Sequence, residues 1–267
     1  MRVLVTVKAY PMPSRTYDEL VCTAGVLEDG SWIRIYPVPF RFLKFRKYQW
    51  IELNLIRNTK DFRPESYRPA SPTLEDMKVV GHIDTKNKWA ARKKFCCRNV
   101  YYSKRELIEH SCAPQNLSLA TFKPSEIKEF IIEPDERDWK PKWKAQLQQL
   151  DMFTRAGADG SGPRIPIRKL PYKFRYRFVD TDGVESNLMI EDWEIGALYW
   201  NCLSKAEGDE EEALEKVRLK YWDEFMKKDI YFFLGTTMVN HARRAPNPFV
   251  IIGVFYPPLD PQSSLFS

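Results

Sequence analysis

Hydrophobic and polar positions alternate most regularly over Tyr172-Lys173-Phe174-Arg175-Tyr176-Arg177-Phe178, where rings take the even positions and cations the odd ones. Side chains of an extended chain point alternately to opposite faces, so this period of two predicts a strand with an aromatic face and a cationic face. Its antiparallel partner is predicted at 186–190, across the turn Asp180-Thr181-Asp182-Gly183.

The N-terminal pattern is also short and β-rich. Val3-Leu4-Val5-Thr6-Val7 reads as a buried strand closed by Tyr10-Pro11-Met12-Pro13. Residues 20–27 and 32–38 flank Glu28-Asp29-Gly30-Ser31, and Asp-Gly between two such runs predicts a hairpin. Residues 50–56 alternate again, and 79–83 offer one more strand. Three prolines within 63–72 predict a loop or extended arm there. Phe130-Ile131-Ile132 reads as a strand returning to this first sheet.

Helical spacing appears elsewhere. Ser103-Lys104-Arg105-Glu106 is a capping box opening a short helix. Residues 139–153, 190–202 and 207–228 follow with apolar stripes, the last carrying Leu214, Val217, Tyr221 and Phe225. Strands at 230–234 and 249–255 finish the chain, joined by a polar, basic connection over 235–248. The predicted class is α+β: a small antiparallel barrel-like lobe over 1–85, a basic and partly helical connecting region over 86–156, a Gly-rich linker over 157–163, and a C-terminal lobe of strands with two helices over 164–258.

Charge sharpens this picture. The net charge is only +6 over 267 residues, but it is unevenly laid out. Residues 86–105 hold eight Lys or Arg and 164–177 hold six, with no acid in either; 191–224 hold eleven acids against four bases. In a strand, Lys173, Arg175 and Arg177 stand about 6 to 7 Å apart, near the phosphate spacing of one nucleic-acid strand.

The predicted function is therefore nucleic-acid binding, to DNA or RNA, on a basic surface interleaved with aromatics. Arg164, Arg168, Lys173, Arg175 and Arg177 form the expected backbone track, with Arg41, Lys44, Arg46 and Lys47 flanking it. His241, Arg243 and Arg244 form a second grip. Recognition of modified or foreign nucleic acid fits the same surface. The acidic helix over 207–228 is a candidate docking face for a protein partner, which would make the chain a non-catalytic subunit of a complex.

The catalytic alternative is a metal-dependent nuclease, with carboxylates drawn from Glu52, Asp61 and Glu65 beside Lys60, or from Asp180, Asp182, Glu191, Asp192 and Glu194. Neither set has a defining spacing. The phosphate-binding loop, the dinucleotide fingerprint, the nucleophile elbow and the His-Glu-x-x-His zinc motif have no match in the sequence, so no cofactor is predicted. Cys96-Cys97, His110 and Cys112 lack the Cys-x-x-Cys pairing of a zinc site, and no metal is predicted. Five irregularly spaced cysteines and the lack of a long apolar run lead to an expectation of a cytoplasmic protein with reduced thiols and no membrane contact.

Overall fold

The computed structural model describes residues 1–13, 19–40, 43–141 and 167–259. The N-terminal lobe is a curled sheet, a half-barrel, built around β1 (Arg2–Lys8). Val3, Leu4, Val5 and Val7 of β1 are all buried, as a β-branched run enclosed on both faces requires. Antiparallel neighbours β3 (Glu19–Val26) and β5 (Gln49–Glu52) flank it.

β3 turns into β4 (Trp32–Pro39) as the Asp29-Gly30 signal predicts, and Gly30 takes the positive φ of 84° that closes the hairpin. On the outer side, β6 (Leu55–Arg57) and β7 (Ser66–Pro69) extend β4, while β8 (Lys78–His82) extends β5. The short β2 (Met12–Pro13) pairs with β3. β7 lies inside the proline-rich stretch expected to be a loop; its Pro69 stands at the last position of the strand, where a missing N–H costs little.

A helix, α1 (Lys86–Cys96), and a two-residue strand, β9 (Val100–Tyr101), lead to α2 (Lys104–His110). The N-cap half of the expected capping box forms at its start, with the Glu106 N–H donating to Ser103 Oγ at 3.2 Å.

The C-terminal lobe has two further sheets. β10 (Leu119–Phe122), β14 (Tyr231–Thr236) and β15 (Phe249–Phe255) pair antiparallel, with β9 on the outer edge. β11 (Glu126–Pro134), β12 (Tyr172–Val179) and β13 (Glu185–Met189) form the other. The Phe130 segment therefore pairs with β12 and not with the first sheet: Phe130 lies opposite Tyr176 and stacks on Phe174 at 6.1 Å.

As the alternation requires, Phe174, Tyr176 and Phe178 are buried. They meet α3 (Trp193–Lys205) and α4 (Glu210–Arg218) in one large core with Phe232, Tyr199 and Tyr221. Past Arg218 the expected single helix widens into a π-helical turn over Leu219–Glu224 and tightens into a 3-10 turn over Phe225–Lys227, which keeps Tyr221 and Phe225 buried. The 235–248 connection is not wholly a loop, because α5 (Met238–Ala242) occupies its middle with Thr237 as N-cap. The helix expected over 139–153, beyond its first residues, and the linker at 157–163 lie outside the described residues.

The two lobes share a core. Val7, Ala24, Tyr48 and Cys96 from the N-terminal side pack with Leu119, Phe233, Ile252 and Phe255 from the other. Buried polar groups reinforce the contact: Arg63 forms a two-point pair with Asp61 (2.8 and 2.6 Å) and donates to the Thr236 carbonyl at 2.8 Å. Arg34 and Glu65 both bond Ser118. Among the described residues, no helix is long and apolar enough to cross a membrane.

Candidate nucleic-acid interface

Two of the expected basic segments meet at the seam between the lobes, on the N-terminal half of α3. Trp193, Gly196 and Trp200 fall on one face of that helix, at i, i+3 and i+7. Gly196 leaves a slot between the two indoles, and Tyr10 fills it. The Tyr10 ring stacks on Trp193 at 5.6 Å, its hydroxyl accepts from Trp200 Nε1 at 2.8 Å, and the same hydroxyl donates to the Arg168 carbonyl at 2.7 Å. Phe40 packs on Trp193 at 5.0 Å. The Arg168 guanidinium lies 3.9 Å from the centre of the Trp200 ring, a cation–π contact, and the residue is exposed.

The 43–47 segment supplies the rest of the charge. Lys47 reaches Asp192, the N-cap of α3, at 2.9 Å and Glu194 at 3.0 Å. Lys47 and Asp192 are nearly sealed from water, with side chains 8% and 1% exposed. Burial opposes the Lys47 charge, but the two carboxylates outweigh it and hold the ammonium protonated above its ordinary value.

Lys8, at the end of β1, donates to the Phe45 carbonyl and lies 4.9 Å from the centre of the Phe45 ring. Burial pushes its pKa down to about 8, and the positive charges of Lys47 and Arg46 push the same way, against Glu194. Lys44 and Arg46 are exposed and have no ion pair among the described residues. The seam thus gathers Arg46 and Lys47 closely enough to Lys8 to disfavour its charge, beside half-buried rings.

The β12 cations are arranged differently from the expected open track. Lys173 meets Asp135 at 3.0 Å, Arg175 meets Glu133 at 3.1 Å, and Arg177 meets Glu129 at 2.9 Å and Glu185 at 3.3 Å. Glu133 and Glu129 of β11 stand directly opposite Lys173 and Arg177, Glu185 of β13 reaches Arg177 diagonally, and Asp135 follows the end of β11. Lys47, expected as a flanking grip, is likewise taken up by its carboxylates.

His241 is a correction of another kind. It is only 5% exposed and both ring nitrogens are engaged: Nε2 donates to the Ser111 carbonyl at 2.6 Å, which leaves Nδ1 to accept from Thr236 Oγ1 at 2.9 Å. Burial lowers its pKa, so the neutral ring is the folded form. Arg243 and Arg244 follow α5 and are exposed, but no ion pair or hydrogen bond among the described residues ties them to 43–47 or to Arg168. Arg41 and Arg164 lie outside the described residues.

Three of the carboxylates named for metal chemistry are engaged by other groups. Asp61 is held by Arg63, Glu65 by Ser118, and Asp192 by Lys47. Among the described residues, no group of three or more His, Cys, Asp or Glu is placed to hold a metal ion.

Lys8, Tyr10, Trp193 and Trp200 escaped the sequence reading as members of a site. The seven-residue spacing of the two tryptophans was the available signal. The Tyr10 position that gives it meaning lies more than 180 residues away in sequence.

Two family matches divide the chain near this seam. Residues 1–98 match the family described as Domain of unknown function (DUF8758), and residues 103–267 match the family described as Domain of unknown function (DUF8757). A comparison with curated proteins gives no match. The boundary falls between α1 and α2, so Lys47 and Tyr10 come from one matched region and Asp192, Trp193 and Trp200 from the other.

Proposed function

The chain belongs to the family described as Domain of unknown function (DUF8757), whose match takes in more than half of its length, and from that premise we propose that it binds nucleic acid along the seam between its lobes. The observation that carries this reading is the crowding of Lys8, Arg46 and Lys47 at one place. Asp192 and Glu194 answer Lys47, while Lys44, Arg46 and Arg168 are exposed with no carboxylate partner among the described residues. A concentration of like charge beside rings is what a backbone phosphate and an unstacked base require together.

In this reading Lys44, Arg46 and Arg168 hold phosphates. Phe40 and Trp193 offer ring faces, a contact worth about 1–3 kcal/mol per stacked base in proteins that use it. Arg243 and Arg244 form a separate, secondary basic point, and modified or foreign nucleic acid is a target class compatible with the half-buried rings beside the cations.

The test is binding of labelled single-stranded and duplex DNA and RNA at several salt concentrations. The triple change Lys44→Gln, Arg46→Gln, Arg168→Gln is expected to flatten the salt slope by about one for each phosphate that is no longer neutralised. Absence of binding by the unaltered protein at low salt removes the proposal. Comparing plain with base-modified oligonucleotides then tests the narrower target class.

A further inference from the structure

Away from the seam, α2 and the β12–β13 hairpin enclose an open groove of about 550 Å³, and Lys104 forms part of its lining. Lys104 is 2% exposed, yet no carboxylate among the described residues lies within the 4.0 Å of an ion pair. Its Nζ donates to Asn247 Oδ1 at 3.1 Å and lies 5.0 Å from the centre of the Phe249 ring. The nearby Asp180 carboxylate is committed to backbone: Oδ2 accepts from the Lys104 N–H at 2.8 Å, and Oδ1 from the N–H groups of Asp182 and Val184. Buried charges in proteins are ordinarily paired, so an ammonium with one amide oxygen and a ring face is short of a counter-ion.

Neutral donors stand around it. Asn247 Oδ1 accepts from both Lys104 and the Phe249 N–H, which leaves the Asn247 Nδ2 protons with no partner among the described residues. Asn187, exposed on β13, also lines the groove, and its amide makes no hydrogen bond among them.

The geometry points to a binding site for a small, singly charged carboxylate, held by Lys104 Nζ and by the side-chain amides of Asn187 and Asn247. The single charge follows from the rim. Glu109 lines it without an ion pair among the described residues, Glu185 lines it while paired to Arg177, and Arg105 is drawn toward Asp182 at 3.8 Å. These carboxylates raise the cost of a dianion or a polyanion more than that of a monoanion, which sets the groove apart from the seam.

Burial also pulls the Lys104 pKa down to about 8, against the opposing charge of Asp180. A bound carboxylate favours the ammonium form, so affinity falls as the pH rises through that value. Arg105, Glu109 and Glu185 are the other charged groups lining the groove, with Asp180 close to Lys104 and Asp182 close to Arg105.

The experiment is a titration of the full chain with acetate, followed by backbone amide NMR at neutral pH. Saturable shifts are expected at 104–109, 185–187 and 247. Lys104→Met is expected to weaken acetate about tenfold or more, the worth of one charge-assisted hydrogen bond. Asn187→Ala, at an exposed position that leaves folding intact, is expected to weaken it by a smaller factor. Non-saturating shifts, acetate binding unaltered by both changes, or tighter binding of inorganic phosphate dianion than of acetate each overturn the assignment. Nucleic-acid binding is expected to be the same in both variants, so this site stands or falls apart from the seam.

Discussion

The ring of Tyr10 occupies the space that a side chain on Gly196 would need: a Cβ built there would lie 2.3 Å from Tyr10 Cε2 and 3.1 Å from Leu170 Cδ1. The ring cannot swing aside freely, because Trp193 stacks on it and its hydroxyl is bonded at both ends to Trp200 and Arg168. Gly196→Ala is therefore expected to destabilise the protein by about 1–3 kcal/mol through overpacking. Urea denaturation measures it, and Tyr10→Ala in the same chain is expected to relieve much of the added cost. An unchanged midpoint in the single variant contradicts the close fit.

Lys47 and Asp192 give a second expectation. Removing one member of a buried pair strands the other's charge, which typically costs about 3–5 kcal/mol, whereas replacing both by apolar groups costs far less. Lys47→Met should thus be strongly destabilising, and Lys47→Met with Asp192→Leu milder than the sum of the two single changes. A double-mutant cycle reads the coupling, and additive effects would rule it out. Some cost remains in the double variant because Asp192 also caps α3 by accepting the Glu194 N–H.

Acid stability follows from Asp61 and Asp135. Burial raises both carboxyls, but the bonds from Arg63 to Asp61, and from Lys169 and Lys173 to Asp135, outweigh it and bring each down to about 2. A carboxyl whose folded pKa lies below its unfolded value, about 3.9 for Asp, stabilises the fold above that value. The contribution is lost as pH falls through the folded one. The window is therefore about pH 4 down to about 2. His241 acts earlier, since a base with a lowered folded pKa loses native stability once pH drops below its ordinary value of about 6.5. Urea midpoints measured at pH 7, 5 and 3 should fall in two steps, and Asp61→Asn should shrink the lower one.

The β12 cations supply the sharpest contrast with the seam. Because Lys173, Arg175 and Arg177 already face Asp135, Glu133, Glu129 and Glu185, changing all three to Gln should alter the salt slope of nucleic-acid binding little. A slope flattened as much as by the Lys44, Arg46 and Arg168 changes would return the binding surface to β12. Thermal stability should drop only modestly, since exposed pairs are each worth roughly 0–1 kcal/mol.

The α+β class, the half-barrel hairpins and the two-faced β12 strand were legible in the sequence because period and turn chemistry are local. The pattern at Phe130 predicts a strand but not its sheet, since a period of two does not name the edge it joins; the strand pairs with β12 and not with the first sheet. The fate of the cations was hidden for the same reason. Glu129 and Glu133 lie opposite Arg177 and Lys173 only once β11 is placed in register, and Lys47 finds Asp192 across 145 residues of chain. His241 looked like a free group on a polar connection, and only the fold reveals that Ser111 and Thr236 claim both nitrogens.

The shared apolar cluster of Val7, Ala24, Tyr48 and Cys96 with Leu119, Phe233, Ile252 and Phe255 makes the two matched regions mutually dependent. Severed between residues 98 and 103, each fragment would bare a greasy scar where the other had been. The separate pieces would be drawn together again as a heterodimer, or clump with their own kind.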